Sequence, residues 1–222
     1  MKAMVLKKIS PIENEPLEID DLPIPEPEGK EVLVKVSVCG VCHTELDEIE
    51  GRLQPRLPII PGHEVVGRVV AIGPEVKRFR AGDRVGIAWI HSACRRCQFC
   101  QGGNENLCLD FQATGCHVNG GYSQYTIVTE DFTYPIPERF SDSEAAPLLC
   151  AGAIGYRDLV LSGIKKGQIL GLFGFGASAH IVIQVARYWG CEVFVFTRSA
   201  EHRMLAQRLG AGWTGSPDQE PP

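Results

Sequence analysis

The sequence lacks any apolar run approaching the roughly 20 residues that span a bilayer. Its first ten residues carry no long apolar core, so no secretory leader is read there. It also lacks an excess of positive charge. Lys and Arg number 22 against 27 Asp and Glu, a net charge of −5. That balance gives no electrostatic case for nucleic acid or an anionic membrane as partner. No internal repeat and no low-complexity segment is present, and the acidic, proline-rich residues 216–222 read as a frayed end. These absences point to a cytoplasmic globular protein. The 44% hydrophobic and 22% charged fractions suffice for a real core.

Cysteine is the exception to this ordinary composition, with nine in the chain. In a reducing compartment such a number speaks for metal or catalytic roles rather than disulfides. Four of them fall as Cys94-x2-Cys97-x2-Cys100-x7-Cys108. Short spacings of this kind deliver several thiolates from one loop to a tetrahedral metal. Arg95, Arg96, Gly102, Gly103 and Asn104 suit a tight exposed turn around it. Zinc is favoured over an iron–sulfur cluster, because the bacterial ferredoxin run has a shorter last gap and a following proline, whereas Leu109 follows here. With all four positions filled, this site would be structural. Cys116 and Cys191 read as small buried hydrophobes.

Residues 1–135 read as short strands broken by Gly and Pro turns. Segment 31–38 alternates apolar and polar, 64–72 and 84–89 are rich in Val and Ile, and 121–128 follows the turn signal Asn119-Gly120. The proline-rich stretch 22–27 is a loop or sheet edge. Many short strands suggest a barrel or sandwich. Beyond residue 141 the pattern changes. Ser141 opens a helical stretch over 145–161 that Pro147 interrupts. Strand 169–173, helix 177–189 with Ile181, Val182, Val185 and Trp189 on one face, strand 191–196 and helix 200–209 follow. Alternating strands and helices mark a parallel α/β domain. Two domains are therefore expected, residues 1–142 and 143–222.

Gly174-Phe175-Gly176-Ala177-Ser178-Ala179 sits between strand 169–173 and helix 177–189. This is the dinucleotide fingerprint with Ala179 at the third glycine position. Its glycines admit a pyrophosphate to the helix N-terminus. At the end of the next strand, where an acidic residue would bond the ribose of NAD, stand Thr197, Arg198 and Ser199. An arginine with hydroxyls suits a 2′-phosphate, so NADP is favoured over NAD.

Further motifs carry a family resemblance. Gly62-His63-Glu64-x2-Gly67-x5-Gly73-x2-Val76 matches the long signature of zinc-dependent medium-chain alcohol dehydrogenases. Residues 38–44, with Cys39-Gly40-Val41-Cys42-His43-Thr44, resemble that family's first-ligand loop. Residues 145–152 resemble its third-ligand segment, and the four-cysteine lobe falls at its place and spacing. The likeness covers residues 1–215 in order. It implies a GroES-like β-barrel domain carrying two zinc ions, followed by a partial Rossmann domain. It also implies a catalytic zinc on Cys42, His63 and Cys150, the Cys2His set known for alcohol dehydrogenases. Glu64 would lie near the metal and coordinate it transiently. Glu45 matches a carboxylate that orients the ligand histidine, where relatives mostly carry Asp. Thr44 would relay the alcohol proton, with Asp47 standing where many relatives have a second histidine at the proton exit. His43 matches a contact to the coenzyme pyrophosphate, and Trp89 falls where relatives narrow the pocket. The implied activity is reversible oxidoreduction between a small alcohol and an aldehyde or ketone, in a homo-oligomer when full length. The alternatives are a truncated, inactive zinc-binding remnant and a zinc-free quinone reductase-like relative. The resemblance further implies roughly six parallel strands in the coenzyme domain. The sequence supplies two and the start of a third near Trp213, so it reads as a fragment, a truncated product or one partner in an assembly.

Overall fold

A computed structural model describes residues 1–222. They divide into two compact units, Met1–Cys150 and Ala151–Pro222. No helix is long and apolar enough to cross a membrane.

In the first unit, strands β1 (Lys2–Leu6) and β2 (Leu17–Asp21) form an antiparallel pair. Strand β3 (Glu31–Cys39) runs into helix α1 (His43–Ile49), and β4 (Val65–Ile72) returns beside β3. Strands β5 (Arg84–Ile87) and β6 (Ile90–Ser92) and the short helix α2 (Gln98–Gln101) come next. Strands β7 (Gln112–Ala113), β8 (Tyr125–Thr129) and β9 (Thr133–Pro135) follow. Five strands join antiparallel in the order β8-β3-β4-β5-β9, and β6 pairs β7 separately. Irregularities in the β3–β4 register at Leu33/Val34 and Val36/Val38 add the local twist that curls such a sheet into a half-barrel. Its inner face is an aliphatic core of Val32, Val34, Val65, Val69, Val85, Ile87 and Val128, as the alternation in 31–38 requires.

Two expected strands are shorter than their patterns. The expected strand 84–89 ends at Ile87. The expected strand 121–128 begins only at Tyr125, because Gly120 and Gly121 serve close packing instead. A Cβ on Gly120 would stand 2.1 Å from the Gly62 carbonyl oxygen. The first unit also extends past residue 142. Helix α3 (Asp142–Ala145) and a 3₁₀ turn over Ala146–Leu149 pack Ala145 and Ala146 against Val66. Ser141 caps α3 by accepting a bond from the Glu144 amide, and Pro147 limits the helix as expected of a residue without an N–H.

In the second unit, helix α4 (Ala151–Ser162) lies against α5 (Ala177–Tyr188). Gly155 allows that approach, since a Cβ there would meet Val182 at 2.5 Å. Strands β10 (Ile169–Phe173), β11 (Glu192–Phe196) and β12 (Trp213–Gly215) are parallel and lie in chain order, with α5 and α6 (Ala200–Arg208) as crossovers. The core holds Val182, Ile183 and Ala186 from α5 and Val193 and Val195 from β11. The buried stripe of α5 thus centres on Val182, Ile183 and Ala186, while Val185 and Trp189 flank it. Strand β10 has a neighbour on one side only, and its outward Ile169 and Phe173 are 56% and 76% exposed. Phe173 gains partial cover by stacking on Phe196 at 4.4 Å.

Candidate functional site

The antiparallel register pairs Cys39 of β3 with Val65 of β4. One residue beyond, the Gly40 amide bonds the Glu64 carbonyl at 2.9 Å. This brings Cys42, at the N-cap of α1, next to His63 and Glu64 at the entry to β4. The break at Pro147 supplies the third arm. The 3₁₀ turn docks Leu149 near Gly86, where a Cβ would meet it at 2.8 Å. Cys150 follows with a non-helical backbone.

One ligand atom from each of Cys42, His63, Glu64 and Cys150 lies within 4.8 Å of every other. The Cys42 and Cys150 sulfurs are 3.9 Å apart. A tetrahedral zinc with bonds of about 2.3 Å sets sulfur pairs about 3.8 Å apart, so the spacing fits that ion. His63 is 1% exposed. Its Nδ1 stands 2.5 Å from Glu45 Oε1, and neither atom has another partner. The other Glu45 oxygen accepts the Cys42 amide at 2.7 Å. One buried carboxylate therefore holds the backbone of one prospective ligand and the ring of another, and the extra methylene of Glu over Asp reaches both.

Proton affinities follow from this crowding. His63 donates toward Cys42, which lowers that thiol to about 7 against its partial burial. Burial raises the Cys150 thiol. Burial opposes charge on His63, but bonds to Cys150, Cys42 and Glu45 outweigh it and raise its affinity for a proton. Burial also raises Glu64. A metal entering this cluster displaces protons from sulfur and imidazole.

Thr44 Oγ1 lies 3.5 Å from Cys42 Sγ. Asp47 bonds the Arg52 guanidinium and stands 3.8 Å from the largely exposed His43 ring. Trp89 meets His63 edge to face at 5.1 Å. Cys39, the remaining cysteine nearby, is pushed up to about 12 by burial.

The second cluster is Cys94, Cys97, Cys100 and Cys108, whose sulfurs also lie within 4.8 Å of one another. Cys94–Cys100 and Cys97–Cys100 separations are 3.9 and 3.6 Å, again the edges of a tetrahedron about zinc. The backbone N–H groups of Arg96 and Cys97 lower Cys94 to about 6. Arg95 turns the loop with a positive φ of 59° and pairs with Asp131, a tether no spacing rule signals.

In the second unit, Phe173 pairs with Phe196, and the Gly174 amide bonds the Phe196 carbonyl at 2.8 Å. The glycine turn and Thr197-Arg198-Ser199 thus share one end of the sheet. Gly174 has φ +89°, whereas Gly176 has an ordinary φ of −92° and nothing within 4 Å of an added Cβ. Nothing in the chain's own packing calls for glycine at 176; open backbone is what an approaching ligand needs. Ala179 lies in the first turn of α5, Thr197 is buried and Arg198 exposed. Arg203 fixes this loop by donating to the Thr197 and Arg198 carbonyls at 2.6 and 3.0 Å.

Sequence reasoning missed Glu48. It is fully buried, its carboxyl lies beside the Cys116 thiol, and burial pushes it up to about 8, aided by the charge of Glu45.

Residues 28–138 match the model of the alcohol dehydrogenase GroES-like domain. "Probable alcohol dehydrogenase AdhA" of Mycobacterium tuberculosis (strain CDC 1551 / Oshkosh) is 45% identical, over 100% of this chain and 66% of its own length. A cinnamyl alcohol dehydrogenase from Sorghum bicolor superposes with a TM-score of 0.87 at 32% identity, covering 96% of this chain and 63% of that one. A cobalt- and zinc-bound thermostable alcohol dehydrogenase from Pyrobaculum aerophilum gives 0.89 at 26% identity, covering 98% and 66%. The chain spans about two thirds of the length of these proteins. Domain match, identity and superposition agree with the two cysteine-bearing clusters in one conclusion: the chain belongs to the medium-chain alcohol dehydrogenase family.

Proposed function

We propose that the chain carries the metal centre and part of the coenzyme site of a zinc-dependent alcohol dehydrogenase, with NADP preferred to NAD. The observation that carries this reading is the meeting of Cys42, His63, Glu64 and Cys150 within 4.8 Å, with the two sulfurs at a zinc-like 3.9 Å. When bound, zinc supplies a Lewis acid for the substrate oxygen and the nicotinamide coenzyme supplies the two-electron redox partner.

The chain's own groups do the rest. Cys42 and Cys150 as thiolates and His63 as neutral imidazole balance a dication while leaving a fourth position for a small alcohol, aldehyde or ketone. Glu45 fixes the His63 tautomer by holding Nδ1. Glu64 offers a carboxylate that can stand in transiently as a ligand. The Thr44 hydroxyl, able to donate and accept at once, takes the alcohol proton. Asp47 stands at the solvent-side end of that path. Cys94, Cys97, Cys100 and Cys108 close around a second, structural zinc. In the second unit, Gly174, Gly176 and Ala179 leave the start of α5 open to a pyrophosphate. Thr197 and Arg198 meet the ribose and its 2′-phosphate.

The test measures zinc per chain, NADPH binding and NADPH-dependent reduction of a small aldehyde. Two zinc ions, NADPH binding and turnover are expected. Two zinc ions without turnover would mark a zinc-holding remnant. Failure of Cys42, His63 and Cys150 to hold a metal would refute the dehydrogenase reading.

A further inference from the structure

Gly40 stands between strand β3 and Cys42, yet its backbone gives no reason for glycine. Its φ lies outside the left-handed region. Its amide is fixed by the bond to the Glu64 carbonyl at 2.9 Å, so the residue cannot slide along the sheet. A side chain here has no room. A Cβ would lie 2.0 Å from Glu64 Oε2 and 3.0 Å from both Cβ and Cδ of Glu64. The three atoms nearest to that position all belong to the Glu64 side chain.

We propose that Gly40 is a positioning residue for Glu64, its missing side chain forming the seat that holds this carboxylate among the ligand atoms of Cys42, His63 and Cys150. The consequence at the metal rests on the zinc reading above; the steric fit does not. Glu64 is 5% exposed and lies with the three ligand atoms inside 4.8 Å. A methyl at position 40 needs about 1 Å more space than the seat offers, since carbon and oxygen do not approach closer than roughly 3 Å without bonding. The β3–β4 pairing resists backbone movement, so the side chain of Glu64 has to give way. Because the ligand atoms are so near, any displacement of its carboxylate changes what the metal sees.

The test is a set of paired variants. Gly40→Ala is made in the wild type, in Glu64→Ala and in Glu64→Gly, and each pair is compared by melting temperature and by the visible spectrum of the cobalt(II)-loaded protein. In the wild type, Gly40→Ala is expected to lower the melting temperature by about 5 °C, an ordinary overpacking effect, and to alter the cobalt bands. Glu64→Ala removes the 2.0 Å clash but keeps the 3.0 Å contact with its Cβ, so the loss becomes smaller. Glu64→Gly removes both, and the loss becomes smaller still. An equal loss in all three backgrounds, a Gly40→Ala/Glu64→Gly variant that fails to fold where Glu64→Gly folds, or unchanged cobalt bands in Gly40→Ala would overturn the proposal. A wild type that takes no cobalt at Cys42, His63 and Cys150 would sink the metal reading alone, because the melting comparison needs no metal there.

Discussion

Replacing Glu48 by Gln is predicted to stabilise the protein in alkali and to leave it nearly unchanged in acid. Glu48 is fully buried, and burial with the neighbouring Glu45 charge pushes its carboxyl from the ordinary 4.5 up to about 8. The Cys116 thiol, the Cys42 thiol and His63 also face it, and Tyr122 feels its charge. The folded chain keeps this proton to about pH 8, whereas the unfolded chain releases it near 4.5. Between those values the folded state binds more protons, so stability falls as pH rises, by about 1.4 kcal/mol per pH unit, and levels off above 8. The full window amounts to roughly 5 kcal/mol for a rigid, dry site. Relaxation and water entry in real proteins reduce that to about 2–3 kcal/mol. Gln has the same shape and does not titrate. Urea melts of both proteins at pH 5, 7 and 9 should therefore show curves that meet near pH 5. At pH 9 they should be separated by about 2–3 kcal/mol in favour of the variant. Parallel curves, or a variant less stable at pH 9, would refute the buried-proton argument.

Cys150→Ser should reduce bound zinc from two ions to one per chain, read by metal analysis, while Cys100→Ser should remove the other ion and lower thermal stability with it. Glu45→Ala should weaken metal retention at the Cys42 cluster by about 10–100-fold in chelator competition, and Glu45→Asp less. Arg198→Ala should weaken NADPH binding by about tenfold or more and leave NADH binding nearly unchanged, since only the former carries the 2′-phosphate. Metal uptake at the Cys42 cluster should release protons, detected with a pH indicator. The release should diminish above pH 7, where the Cys42 thiol, lowered to about 7 by His63, is already ionised.

Much of this site was legible because metal chemistry restricts residue type and spacing together. Four cysteines within fifteen positions can hardly avoid one another, and the glycine turn announces itself between a strand and a helix. That Cys42, His63 and Cys150 belong together was legible only through resemblance, since their meeting depends on the β3–β4 register and on the docking of residues 141–150. Glu48 was hidden for a different reason. In α1 the apolar spacing of Leu46 and Ile49 suggests the buried stripe, yet Glu45, Glu48 and Ile49 are the buried residues while Leu46 is only partly covered. A seven-residue helix is oriented by what its ends must do, here the Cys42 cap and the Glu45 bridge to His63, and apolar periodicity loses to that. Strand 121–128 failed at its start for a similar reason, because Gly120 answers to a close crossing of the Gly62 backbone and Gly121 to the side chains of Val65 and Cys39, which no alternation pattern records.

The two clusters differ in how much polypeptide must exist before each can close. The four cysteines of the lobe lie on one short stretch from Cys94 to Cys108, whereas the other set draws on Cys42, His63 and Cys150. In the two-zinc reading, the lobe can capture an ion during synthesis while later residues are still on the ribosome. The other cluster waits for Cys150, at the end of its unit. On the two-zinc reading proposed above, loading would have a built-in order, with the ion of the lobe first, and a nascent chain halted before Cys150 would carry a single zinc.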